Sequence, residues 1–158
     1  MKNSEWIPSG QDYQKSFTAG VTAKEAFENI TKVADWWTKS FKGNAKNVND
    51  EFDVSFGPTT VNFKVIESVL YKKLVWLVTD CYLDWLNNKT EWKDTKIVWN
   101  ISEENKSAKV EMTHVGLLPG IECYKDCEAG WNQYVGESLP MLIAGNKGVL
   151  YEGSREKQ

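Results

Sequence analysis

The chain opens with alternation. In YQKSFTA, Tyr13, Phe17 and Ala19 fall on one side of an extended segment, which predicts a first strand. The period then changes. In TAKEAFENI, Ala23, Ala26, Phe27 and Ile30 share one face at helical spacing, and Thr22 with Glu25 forms a capping box at the start. Val33 to Lys39 predicts a second, very short helix, and KGNAKNVND reads as a loop. Alternation returns in EFDVSFG, which ends at the turn signal Gly57-Pro58, and in TTVNFKVIESVL, which puts Val61, Phe63 and Val65 on one side. KLVWLVTDCYL is apolar on both faces. WKDTKIVWNIS turns Ile97, Trp99 and Ile101 inward, and KVEMTHVG does the same with Val110, Met112 and His114. The short turns between these segments predict an antiparallel meander.

The last element, ECYKDCEAGWNQYVGESLPMLIAG, predicts a helix of about 20 residues ending at Gly145. Its apolar stripe contains Cys127, Trp131, Tyr134, Val135, Ser138 and Leu142, and Pro140 should kink its final turns. This order predicts an α+β fold. A curved antiparallel sheet, with two short helices after its first strand, carries the long C-terminal helix on its concave face and encloses a cavity. The predicted boundaries are an N-terminal extension over 1–12, a single domain over 13–148 and a C-terminal tail over 149–158, with the first ten residues and YEGSREKQ read as mobile ends.

Composition adds one strong signal. Eight of 158 residues are tryptophan, and large amphipathic rings suit deep cores and cavity walls. Nineteen basic and 22 acidic side chains give a net charge of −3. The basic ones are scattered, so the sequence predicts no nucleic-acid binding. No apolar run is long enough to span a bilayer, and MKNSEWIPSG lacks the apolar core of a secretory signal. With an odd number of cysteines, these features predict a cytoplasmic protein with no membrane insertion.

Several segments together resemble the START-like (SRPBCC, helix-grip) superfamily, and within it the family named for the activator of the heat-shock-protein-90 ATPase. They are FTAGVTAKEAFENIT, DWWT, the strand ending MTHVGL, and above all GWNQYVGESLPMLIAGNKG. The last matches that family's closing helix at Gly130, Trp131, Ser138, Leu139 and Gly148. The chain departs from the pattern at Asp50-Glu51, where relatives often carry a glycine pair, and at Pro140. The resemblance implies a helix-grip fold with a cavity and admits a chaperone contact. Wider relatives bind lipids, hormones or polyketides, and some are cyclases.

The candidate chemistry is sparse. His114 is the single histidine, so no His–His metal site exists within one chain. It reads either as a satisfied core group or as a polar anchor in the cavity. Cys123 and Cys127 lie four apart on the last helix with Cys81 on a strand, which is poor spacing for zinc or a disulfide. Cys127 reads as core and Cys123 as a free thiol near a helix start. Asp80 and Asp84 read as exposed at a strand end, the alternative being a buried proton donor. Hydrolase, NTPase and dinucleotide motifs are absent, and no cofactor is expected.

The expected site is a cavity lining of Trp37, Phe56, Phe63, Trp76, Trp99, Met112, His114, Trp131, Tyr134 and Val135, binding a small apolar or aromatic molecule without catalytic residues. Two rival readings remain: a co-chaperone-like module using half-exposed Trp85 and Trp92, and a cyclase- or dehydratase-type enzyme. Either a monomer or a weak homodimer fits. The pair Trp36-Trp37 divides its work, with Trp36 packing under the short helices and Trp37 facing the cavity.

Overall fold

The computed structural model describes residues 12–151. Seven strands make one antiparallel sheet: β1 (Tyr13–Ala19), β2 (Phe41–Gly43), β3 (Glu51–Phe56), β4 (Thr59–Val69), β5 (Lys73–Tyr82), β6 (Lys96–Glu104) and β7 (Ser107–Val115). Their order is β1-β7-β6-β5-β4-β3-β2, so β2 to β7 form a meander and β1 returns beside β7. Two short helices, α1 (Ala23–Ile30) and α2 (Val33–Trp36), join β1 to β2. The closing element starts as α3 (Tyr124–Gln133), widens into a π-helical turn (Tyr134–Ser138) and ends as α4 (Leu139–Ile143). No helix among the described residues is long and apolar enough to cross a membrane. Of the predicted extension over 1–12 and the predicted tail over 149–158, residues 1–11 and 152–158 lie outside the described residues.

Local chemistry accounts for most of these elements. The Glu25 amide donates to the Thr22 hydroxyl and the Thr22 amide to the Glu25 carboxylate, which closes the capping box of α1. Phe52, Val54, Val61, Phe63, Val65, Leu74, Trp76, Ile97, Trp99, Val110, Met112 and His114 are all buried on the sheet face that receives the helices.

Three features differ from the sequence expectation. The predicted loop after Ser40 contains a three-residue edge strand, β2, too short to show a period. Gly43 permits it, because φ is +111° there and an added Cβ would lie 2.1 Å from the Glu51 carbonyl oxygen. In β5 the pairing runs Asn62 with Asp80 and then Phe63 with Val78, so Thr79 is an extra residue. That bulge re-phases the strand, turning Cys81 inward and Asp80 out to solvent.

The third concerns the closing helix. The Leu139 amide donates to the Tyr134 carbonyl, five residues back, just before Pro140. Proline has no N–H for the Gly136 carbonyl and crowds it, and the wider turn accommodates both problems. It also shifts the apolar stripe by one position. Leu139 and Ile143 are buried, whereas Leu142 is only partly covered.

Candidate functional site

Between sheet and closing helix the interior has two parts. Toward α1 and α2 it is solid. Trp36 packs edge-on to Trp99, Trp99 edge-on to Trp76, and Trp76 edge-on to Phe52 and Phe63, with centroids 5.0–5.9 Å apart. The Trp36 indole donates to the Ile30 carbonyl at 3.0 Å and the Trp76 indole to the Ala45 carbonyl at 3.2 Å. Trp99 Nε1 is buried with no hydrogen-bond partner.

Toward the other end lies a cavity of about 170 Å³. The sheet supplies Phe56, Thr59 and Val61 to its wall, and the segment after β5 supplies Leu83, Trp85 and Trp92. Asp126, Cys127, Gly130, Trp131 and Tyr134 come from the closing helix, Trp37 follows α2, and Tyr151 comes from the C-terminal segment. Trp131 is the centre of the aromatic wall. Trp37 leans on it at 4.9 Å, and Trp92 lies parallel to it at 5.9 Å with an interplanar angle of 11°. Gly130 leaves the helix side open, since a Cβ there would meet nothing within 4 Å. Trp85 and Asp126 stand at the outer edge, where the indole donates to Asp126 Oδ2 at 2.9 Å.

The segment between β5 and β6 has little regular structure, yet it is firmly tied to α3. Glu91 accepts the amides of Glu122 and Cys123, and Glu122 accepts those of Asn87 and Asn88. Those amide donors hold the exposed Glu122 carboxyl below its ordinary range. These contacts serve free amides at the helix start and fix the segment as a wall. They also bury Trp92, whose indole donates to Cys123 Sγ at 3.3 Å.

The C-terminal segment forms another wall. Ser138 donates to the Trp36 carbonyl at 2.7 Å and accepts the Val149 amide at 2.8 Å. Gly148 passes so close that a Cβ would lie 2.6 Å from the Asp35 carbonyl oxygen and 2.7 Å from Ser138 Oγ. Tyr151 then donates its amide to the Trp37 carbonyl and sets its ring edge-on to Phe56. Within the segment assigned by sequence to the C-terminal tail, Val149 and Tyr151 thus make backbone hydrogen bonds to the domain.

His114 is committed elsewhere. The Trp131 indole donates to Nδ1 at 3.0 Å, and Nε2 lies 2.9 Å from Thr95 Oγ1. Thr95 gives its own proton to the Trp92 carbonyl, so it accepts from His114 and the ring is the neutral Nε2–H tautomer. Burial lowers the pKa to about 3. The ring does not line the cavity; it orients Trp131, which does.

The cysteines are equally quiet. Cys123 is a free thiol at the helix start, as expected, and is buried against Trp92. Cys127 is pushed up by its hydrogen bond with Cys123 and by burial, and Cys81 is pushed up by burial. These two thiols stay protonated. Among the described residues no group of side chains is arranged to hold a metal ion.

Of the nominated residues, Trp37, Phe56, Trp131 and Tyr134 line the cavity. Phe63, Trp76, Trp99, Met112, His114 and Val135 are buried beyond it and belong to the packed interior. Trp92 and Gly130 line it without having been nominated. A glycine inside an otherwise helical pattern is a signal that could have drawn attention to the second.

No family model and no curated protein matches this sequence. Solved structures do. The Aha1 dimer from Colwellia psychrerythraea aligns with a TM-score of 0.69 at 17% identity, covering 84% of this chain and 95% of that one. A protein of the dynemicin biosynthetic locus, DynU16, aligns at 0.59 with 16% identity, covering 84% of this chain but 47% of its own. Protein CV1439 from Chromobacterium violaceum aligns at 0.61 with 12% identity, covering 85% and 97%. The chain has the helix-grip fold. The fold expected from the sequence is the fold present, and the motif GWNQYVGESLPMLIAGNKG acquires physical content within it. Gly130 opens the cavity, Trp131 walls it, Ser138 and Gly148 tie the C-terminal segment, and Leu139 packs inward.

Proposed function

We propose that this helix-grip protein binds a small molecule through one aromatic or compact apolar group held between Trp37, Trp92 and Trp131. The observation that carries the reading is the aromatic-walled cavity of about 170 Å³. Pockets for drug-sized ligands run to several hundred cubic ångströms, while an apolar void of about 150 Å³ takes up a single benzene. The space therefore suits one ring or one end of a longer molecule rather than a whole sterol or fatty acid. DynU16, of the same fold, comes from the dynemicin biosynthetic locus.

Each rival reading loses one carrier, although Trp85 is exposed as the co-chaperone reading expects and Asp126 places a carboxylate in the cavity wall. Proton transfer has no candidate in His114, whose nitrogens are both occupied, or in Asp80, which faces solvent. The co-chaperone reading rested partly on Trp92, which is buried. The Colwellia protein is a dimer, and sedimentation velocity at rising concentration tests whether this chain associates likewise.

Binding is tested by titrating the protein with indole while following tryptophan side-chain N–H resonances. Trp37, Trp92 and Trp131 should shift, and Gly130→Leu, which fills the space without disturbing the fold, should abolish the shifts. Unmoved resonances across one-ring and two-ring arenes, or shifts that persist in Gly130→Leu, overturn the reading.

A further inference from the structure

The composition of the cavity wall narrows the ligand further. Seven of its thirteen lining residues are aromatic, one is a carboxylate, and none is basic. Aromatic faces carry negative potential, and the carboxylate adds a full negative charge. An anion would find no basic partner among the lining residues and a carboxylate at their edge. A neutral arene would gain from burial alone. An organic cation gains from burial of its alkyl groups, from ring faces and from the carboxylate, which together offset the cost of drying its charge.

Among the described residues, nothing in the wall already supplies that positive charge. His114 is neutral and lies outside the cavity. Lys89, the nearby lysine of the β5–β6 segment, directs its ammonium to the Asp84 and Leu86 carbonyls and lies 5.6 Å from the Tyr82 ring centre. Lys125, next to Asp126 in sequence, does not line the space. Asp126 gives Oδ2 to the Trp85 indole. That bond holds the carboxylate at the cavity edge beside Trp85, with Trp92 and Trp131 stacked parallel further in.

Resting on the ligand-binding reading above, we propose that the preferred ligand is an organic cation. A compact alkylated ammonium group would sit among Trp37, Trp92 and Trp131, and Asp126 would face it from the edge. Stacked and tilted indoles around a small space are the arrangement that recognises such groups, because a quaternary ammonium sheds water readily and offers no hydrogen bond to satisfy.

The test uses two probes of one shape and different charge, meta-hydroxyphenyl-trimethylammonium and meta-tert-butylphenol, titrated at low salt and near-neutral pH. The cation should bind at least about tenfold more tightly, as cation–π contacts and a carboxylate together supply. Asp126→Asn keeps an acceptor for the Trp85 indole, so it should weaken the cation severalfold and leave the neutral probe unchanged. Gly130→Leu should exclude both. Equal affinities, or an equal response of both probes to Asp126→Asn, overturn the cation preference and leave the ligand-binding reading standing. Failure of both probes to bind the unaltered protein overturns the two readings together.

Discussion

Trp36 and Trp37 are adjacent in sequence, stacked at 5.7 Å and both buried, yet they belong to regions of opposite character. Trp36 faces an interior filled by Trp76, Trp99 and Phe63, where each indole finds another ring at its edge. Trp37 faces Trp131 and Phe56 and borders empty space. The residue types hardly differ. What differs is the cover: α1 and α2 lie over the first region with regular, close-packed faces, whereas a glycine-bearing helix, an irregular segment and three C-terminal residues enclose the second. Aromatic content alone therefore does not separate core from cavity.

The strongest way to break this comparison is truncation of each ring. Trp36→Ala should cost toward the upper end of about 3–5 kcal/mol, because it opens a hole in a filled region. Trp37→Ala should cost less, since one side of the ring already borders a void, but should weaken binding of any cavity ligand far more. Urea denaturation and probe titration of both variants check this, and equal losses of stability with unchanged binding would make both tryptophans plain core.

A second contrast uses His114, which ties Trp131 to the sheet. Its pKa is about 3 in the folded chain and near 6.5 when unfolded. The unfolded chain thus takes up the proton first, and stability falls as pH drops from about 6.5 toward about 3, on the order of 1 kcal/mol per pH unit. Above that window the contribution is constant. His114→Gln can still accept from Trp131 and donate to Thr95, so its denaturation curves should lack this component of the acid slope. An unchanged slope would show that the histidine is not the group responsible.

Within the packed region, two indoles of similar burial should respond unequally to replacement by phenylalanine. Trp76→Phe strands the Ala45 carbonyl, while Trp99→Phe removes an N–H that has no partner. The first should be more destabilising by about 1 kcal/mol in chemical denaturation. The smallest effect belongs to the cavity side. Gly130→Ala should raise stability by about 0.5–1 kcal/mol through helix propensity while reducing ligand affinity, a pairing that thermal melting and titration together detect.

Much of the architecture is legible from the sequence because it rests on local rules: the Thr22–Glu25 box, the alternating inward sets of β3 to β7 and the stripe of the closing helix. What escapes is non-local or too short to have a period. β2 has three residues, the Thr79 bulge reverses the phase of β5, and the π turn moves the stripe from Leu142 to Leu139 and Ile143. Trp92 sits among charged turn residues and reads as half-exposed; contacts with α3, some thirty residues on, bury it. The site follows the same rule. Its rings are legible as apolar, but which of them border space depends on Gly130 and on Tyr151, whose placement comes from a hydroxyl thirteen residues earlier.

That hydroxyl has a kinetic consequence. Ser138 joins the closing helix to α2 and to the segment that carries Tyr151 across the cavity wall. Traffic through this wall therefore requires one concerted release, not the independent flickering of a side chain. The Tyr151 amide, donated to the Trp37 carbonyl, is its clock: under conditions where every opening leads to exchange, the rate at which that single proton is lost equals the opening rate and sets a ceiling on how fast a ligand can pass this side of the cavity.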